Sequence, residues 1–440
     1  MKRLFVVLML MFAALVQMAT PSSAAVQDDA SLPRISVNNA RLVNAQTGAT
    51  FVPRGANYVK LQPTGEGGRS YHSTFEPGLY DASAADNALR GMARDGYNVV
   101  RVYIDPGDTD RTKAHGIGRG RGTTGGVHGP YMDNFSNFVE RAAARNIYVI
   151  PVMDAFPQND HYLSIVENHP AGQPRNIGGD NLWYLYAGYV DAKAEYMKQF
   201  ANALRQRVGA DLMTTILAYS ASNEVAFDGD KPPYHAWRGT VTPINGLTYD
   251  MSNAERRQQS ADASLVEYSR RLKRALASAD DKALLTMGFY TSKAVGKSGF
   301  HGFRQPATTT NTRFPGRPAA LSQFGAADFI DMHVIPDSLS YDLSADLRSS
   351  ELQLFEKPYV LGLIGARKDV HQFNIRLAAY RMRDLQVASC ALNAKGWLFW
   401  TWDTRTTLAH QDKLYNLQDQ EQGAINGMLA PLTRPDPCVP

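Results

Sequence analysis

The chain has 440 residues, 44% of them hydrophobic and 20% charged, with a formal net charge of +4. This is the composition of an ordinary globular protein and excludes disordered, fibrous and collagen-like chains. Basic residues are scattered apart from Arg119-Gly120-Arg121, with no basic face interleaved with aromatics, so nucleic acid is not an expected partner.

Lys2 and Arg3 precede an apolar run, Leu4–Met18, that ends in the small residues Ser22-Ser23-Ala24-Ala25. A basic start, about 15 apolar residues and a small-residue end describe a cleavable export signal, too short for a span that needs roughly 20. The expectation is a signal peptide over 1–25 and a single mature domain over 26–440, secreted or periplasmic, with no membrane contact after cleavage. The chain has two cysteines, Cys390 and Cys438. In an oxidising compartment a disulfide between them would tie the C-terminal tail to the last helix, with two free thiols as the alternative.

Past the leader, Arg34–Val43 and Phe51–Pro53 flank Asn44-Ala45-Gln46-Thr47-Gly48, the pattern of a hairpin. Eight short apolar runs then recur: Val52–Tyr58, Asn98–Ile104, Ile147–Met153, Ile216–Ala221, Ala283–Phe289, Asp328–His333, Pro358–Ile364 and Gly396–Trp400. Between them lie helical patterns at Ala84–Asp95, Met132–Arg145, Asp191–Arg207, Arg256–Ser278, Tyr341–Phe355 and Gln372–Asn393. Near-continuous apolar runs suit parallel strands buried on both faces. Their alternation with helices predicts an α/β fold, a (β/α)8 TIM barrel with an N-terminal β-hairpin cap closing its floor. Thr404–Pro440 reads as loop and tail.

The long irregular segments Gly107–Pro130, Pro157–Gly188, Phe227–Tyr249 and Thr291–Ala320 all follow predicted strands. In such barrels those loops build the active face, and loops beyond roughly 12 residues in a compact domain are usually functional.

The sharpest chemical signal ends the fourth run, where Ser222 leads into Asn223-Glu224. A glutamate at that strand end can act as a general acid/base when its pKa suits, and the neighbouring Asn can hydrogen-bond a sugar hydroxyl. His333 is the one histidine at a predicted strand end, so no metal site and no cofactor are expected. Val295-Gly296-Lys297-Ser298 lacks the earlier glycine of a phosphate-binding loop. Aromatics collect in the post-strand segments: Trp183 with Tyr184, Tyr186 and Tyr189, then Trp237, then Trp400 and Trp402. Flat apolar side chains stack on the C–H faces of pyranose rings, which points to an oligo- or polysaccharide partner. Trp400 is the first candidate for that contact, while Tyr189 and Trp397 are expected in the core.

These motifs together resemble the clan A glycoside hydrolases, in particular the cellulase and mannanase family 5. Arg54-Gly55-Ala56-Asn57-Tyr58 is similar to the family's first-strand entry, and Gly96–Arg101 to its second strand. Asn223-Glu224, Asp331-Met332-His333 and Trp397–Trp400 resemble its fourth, sixth and eighth strands. The resemblance implies Glu224 as acid/base, Arg101 bracing the nucleophile, Asn223 and His333 on the substrate side, and Trp400 as a sugar platform.

The departures are equally specific. Lys357–Gly365 aligns with a seventh strand ending Gly-Glu-Phe-Gly, and Leu363 stands where the family's nucleophilic glutamate would. Phe156, Ile335 and Val225 replace the family's His, Tyr and Pro. Retaining hydrolysis uses two carboxyl groups roughly 5–5.5 Å apart, and inverting hydrolysis about 6.5–9.5 Å. Asp105, Asp154 and Asp403 follow strands and are candidates for a second carboxylate, each with a structural role as the alternative. Three readings stay open: altered hydrolysis with Glu224 as acid, an inactive pseudoenzyme that holds a glycan, and an interaction protein that keeps only the barrel.

Overall fold

In the computed structural model, eight parallel strands close on themselves in chain order: Arg54–Tyr58, Val99–Tyr103, Tyr148–Val152, Tyr219–Ser220, Leu285–Tyr290, Phe329–Val334, Tyr359–Ile364 and Trp397–Phe399. Residues 31–63, 70–107, 114–172, 174, 176–235, 238–297, 299–300, 302–304, 311–354, 356–402, 413–418 and 420–439 are described. Each barrel strand is buried along its length, which is why these runs are apolar rather than alternating.

A helix follows every strand: Ala82–Arg94, Gly129–Ala143, Ala187–Leu212, Ala254–Ala277, Pro318–Phe324, Leu343–Ser349, Ile375–Cys390 and Gln420–Leu429. Several begin at side-chain caps, with Asp81, Asn253 and Asn374 each accepting from two first-turn amides. Two differences from the sequence reading stand out. The segment read as loop and tail contains the eighth helix, Gln420–Leu429. The helix expected over Tyr341–Phe355 spans only Leu343–Ser349, because Glu351 takes a φ of +60° before a single 3₁₀ turn, Leu352–Leu354.

The N-terminal hairpin also turns one step earlier than expected. Ile35–Asn38 pairs with Arg41–Asn44 around Asn39 and Ala40, at φ +46° and +58°, the primed geometry that matches strand twist. The anticipated Asn44–Gly48 turn is present but closes a single bridge, Val43 to Thr50. Leu32, Ile35 and Leu42 pack with Val99, Ile150, Phe329, Val360 and Leu398, so the hairpin plugs the barrel floor with apolar surface.

Beside it, the buried Arg54 guanidinium donates to the carbonyls of Leu429, Arg434 and Pro435. A Cys390–Cys438 disulfide ties the tail to the helix Ile375–Cys390, with the two Cα atoms 5.7 Å apart. No helix among the described residues is long and apolar enough to cross a membrane. At the opposite end, Ala226–Asp228 pairs antiparallel with Arg313–Pro315, joining the loops after the fourth and fifth strands into one rim.

Candidate active site

Alternate residues of a strand share a face, so the inner wall of the barrel can be followed upward from its floor. Val99 and Phe329 belong to the apolar floor. Two residues further along the same strands stand Arg101 and Asp331, and two further Tyr103 and His333. The wall therefore changes from apolar to charged within one step of the pleat.

The charged groups form a chain. Arg101, fully buried, places Nε 3.2 Å from Asp331 Oδ2. His333, also buried, faces Asp331 Oδ2 with Nε2 at 3.5 Å and Glu224 Oε1 with Nδ1 at 3.1 Å. Arg101 donates through Nη1 to Asn57 Oδ1 (3.1 Å) and Tyr103 OH (2.7 Å), and through Nη2 to Asn223 Oδ1 (3.1 Å). Tyr103 OH donates in turn to Asn223 Oδ1 at 2.8 Å. Asn57 Nδ2 donates to the carbonyl of Gly362 at 3.0 Å. The sequence-derived residues Arg101, Asn223, Glu224 and His333 are thus brought into one network.

This network sets protonation. Burial pushes Glu224 upward, but the hydrogen bond and charge of His333, with Arg101 and Arg313, bring it below the ordinary carboxylate value. Burial depresses His333, yet Asp331 and the Glu224 contact leave it raised. Asp331 is desolvated and still lowered, by His333 and Arg101. Glu224, with 34% of its side chain exposed, is therefore an ionised group presented at the barrel mouth.

The seventh strand supplies no charge at this level. Leu363 is the cross-strand partner of His333 and so faces the same way, buried at 4%. It belongs to none of the contiguous apolar clusters of the described residues. Pairing between the sixth and seventh strands also shifts here: Met332 pairs with Leu361 and His333 with Leu363, leaving Gly362 as an extra, bulged residue.

The possible second carboxylates separate. Asp154 is exposed on the active face, and its Oδ1 accepts the Asn223 N–H at 2.7 Å. Asp105 is buried and braces its loop, with Oδ2 on His115 Nδ1 (2.8 Å) and Oδ1 on the Gly107 N–H (3.0 Å). Asp403 lies outside the described residues, as does Trp237. Of the other aromatics, Trp183 is half-buried against Phe156 and Tyr189, and Trp400 half-buried against Tyr103. Tyr184, Tyr186, Trp397 and Trp402 are core, whereas Tyr189 is only half-buried. Among the described residues no group of His, Cys, Asp and Glu is arranged to hold a metal ion.

Four further residues in or beside this network were given no role of their own from the sequence. Asn57 and Tyr103 complete the shell of Arg101, and His72 stacks on Tyr103 at 4.4 Å with its own pKa pushed down to about 4 by burial, against the pull of Asp105. Tyr290, the cross-strand partner of His333 on the fifth strand, has a buried hydroxyl without a hydrogen-bond partner among the described residues. The signal for Tyr103 was available: it stands two residues from Arg101 on an inward-facing strand.

No family model matches the sequence, and no curated protein matches it. Solved structures do. The endo-1,4-β-mannanase of Rhizomucor miehei aligns with a TM-score of 0.60 at 13% identity, over 92% of this chain and 100% of that one. The chain shares the fold of β-mannanases. The β-1,4-D-mannanase of Cryptopygus antarcticus (TM-score 0.52, 15% identity, 91% and 95% covered) and the β-mannanase of the blue mussel Mytilus edulis (0.50, 15%, 92% and 97%) agree with it. At these identities the likeness to β-mannanases is one of fold, and chemistry has to be argued from the site.

Proposed function

We propose that this chain is an exported glycan-binding protein on a β-mannanase-type barrel, which holds a β-linked oligo- or polysaccharide above Glu224 without the two-carboxylate retaining reaction. One observation carries the reading: Leu363 is the seventh-strand residue beside His333, and a leucine side chain has no lone pair to attack an anomeric carbon.

The charge of Glu224 supports it. A general acid needs a pKa raised toward the working pH, whereas His333 holds Glu224 in the opposite direction. An ionised carboxylate with Asn223 beside it is suited to accept hydrogen bonds from sugar hydroxyls. Trp400 and Trp183, with Trp237 in the same set, are proposed as stacking platforms. β-1,4-mannan is the first ligand to try, because the structural relatives are named for it.

The reading extends to the leader: residues 1–25 are removed on export, leaving one domain over 26–440, secreted or periplasmic. The Cys390–Cys438 disulfide is in keeping with an oxidising compartment. One observation favours hydrolysis as a second reading. Asp154 is an exposed carboxylate anchored to the residue before Glu224, a position from which it can activate water.

Calorimetric titration with manno-oligosaccharides, paired with a reducing-sugar assay on β-mannan and β-glucan, separates the two. Binding without release of reducing ends is the expected result, and Glu224→Gln weakens that binding. Turnover that Glu224→Gln abolishes eliminates the binding reading in favour of hydrolysis.

A further inference from the structure

Arg101 puts a permanent cation inside the barrel and His333 a titratable ring near it, at 0% and 2% exposure. An uncompensated buried charge costs several kcal/mol, so a buried cation needs a carboxylate at close range. Glu224 answers only one face of His333. The seventh strand, the nearest neighbour on the other side, contributes the aliphatic Leu363.

The missing charge comes from the sixth strand. Asp331 Oδ2 lies 3.2 Å from Arg101 Nε and 3.5 Å from His333 Nε2. The backbone makes room for it: a Cβ on the bulged Gly362 would sit 1.8 Å from Asp331 Oδ1, so any larger residue there would displace the carboxylate. Both ring nitrogens of His333 consequently face carboxylate oxygens. A neutral imidazole has one N–H and would turn its lone pair toward one of those oxygens, whereas an imidazolium presents an N–H to both, in a hydrogen bond at Glu224 and an ion pair without a hydrogen bond at Asp331.

We propose that Asp331 is the positioning residue of this site: seated against Gly362, its carboxylate neutralises Arg101 and fixes a doubly protonated His333 ring, which in turn holds Glu224 as a carboxylate over the cleft. Asp331 touches no ligand and acts through His333. The groups facing that ring are Asp331 on its own strand, Arg101 from the second strand, Glu224 from beyond the fourth, Tyr290 on the fifth and the uncharged Leu363 on the seventh. Only the ligand arm of the test below rests on the glycan-binding reading.

The experiment is a pH series of side-chain ¹H–¹⁵N spectra on histidine-labelled protein, with the His333 signals assigned by their loss in His333→Gln. In the unmodified protein both His333 nitrogens are protonated at neutral pH. Asp331→Asn lowers the midpoint by about one pH unit or more and weakens binding of manno-oligosaccharides. A neutral His333 at pH 7 in the unmodified protein overturns the proposal without any variant having to fold. A folded Asp331→Asn protein with an unchanged midpoint overturns it as well. If the unmodified protein binds no glycan, the functional reading fails while the spectra still decide the role of Asp331.

Discussion

His333 Nδ1 stands 3.1 Å from Glu224 Oε1, and this contact moves the two groups in opposite directions, Glu224 down and His333 up. Their pH dependences therefore have opposite signs. A carboxylate lowered in the folded state contributes stability above its ordinary value of 4.5, lost as pH falls through the folded value. A histidine raised in the folded state contributes below its ordinary 6.5, lost as pH rises through the folded value. The pair is fully effective between those two ordinary values. His333→Gln is expected to lower the melting temperature most within that window, the deficit shrinking on both sides. Thermal melts across the pH range check this, and a deficit of constant size would show that the contact is electrostatically idle.

Charge balance also governs an attempt to restore a nucleophile. With His333 doubly protonated, as proposed above, Glu224 and Asp331 match Arg101 and His333, so a carboxylate introduced at position 363 enters a neutral buried cluster as a fifth charge. It must either protonate or cost several kcal/mol. Leu363→Glu alone is expected to lower the melting temperature and to release no reducing sugar from β-mannan. Adding Asp331→Asn frees the cations for the new carboxylate, and the double variant should recover stability and gain turnover. Comparing the single and double variants in both assays decides it. Turnover in the single variant equal to that of the double refutes the argument.

The contact between Gly362 and Asp331 predicts a coupling of its own. A methyl group on residue 362 meets Asp331 Oδ1 at 1.8 Å and Cγ at 2.4 Å. Overpacking of this kind typically costs about 1–3 kcal/mol. The obstruction is one side chain, so shortening it should remove most of the penalty: Gly362→Ala destabilises strongly in the native background and much less beside Asp331→Ala. Denaturant melts of the four proteins in this cycle measure the interaction, expected at about 1 kcal/mol or more. Additive effects would mean that the backbone at Gly362, rather than Asp331, sets the need for glycine.

How far the sequence reveals this site follows from what each residue's signal is. The barrel strands were legible because burial on both faces leaves an unbroken apolar run, as in Tyr148–Val152. Asn223, Glu224 and His333 were legible because a polar residue at the end of such a run is conspicuous, and Arg101, inside its run, through the resemblance of Gly96–Arg101 to the family's second strand. Asp331 was read only as part of a motif, since nothing local distinguishes a buried counter-ion from a loop-facing aspartate. Its partners Arg101 and Gly362 lie 230 and 31 positions away, and the bulge that seats it arises from a register shift between two strands. The eighth helix was missed for a related reason. Gln420–Leu429 has a weak apolar face of its own, and its place is set by contacts such as Tyr97 OH donating to Asn426 Oδ1 and Arg54 reaching the Leu429 carbonyl.

A further basic side chain is buried away from the Arg101–Asp331–His333–Glu224 cluster, with a backbone carbonyl rather than a carboxylate as its hydrogen-bond acceptor. Lys193, on the helix Ala187–Leu212, is 1% exposed, donates to the carbonyl of Met153 and lies 5.7 Å from the Tyr196 ring centre. Burial pushes its pKa down to about 7 from 10.5, with Asp154 pulling weakly the other way. The folded protein therefore loses this proton near neutrality, while the unfolded chain keeps it until the ordinary lysine range. Between those limits the unfolded state binds more protons, so stability rises with pH; below about 7 both states are charged and the full burial penalty remains. Lys193→Met removes the charge while keeping a long apolar side chain. It is expected to raise the melting temperature by a few degrees at pH 6, with the advantage shrinking steadily toward pH 10. Melts of both proteins at pH 6, 8 and 9.5 test this, and an advantage that does not change with pH would mean that Lys193 keeps its proton in the folded protein, stabilised by Asp154.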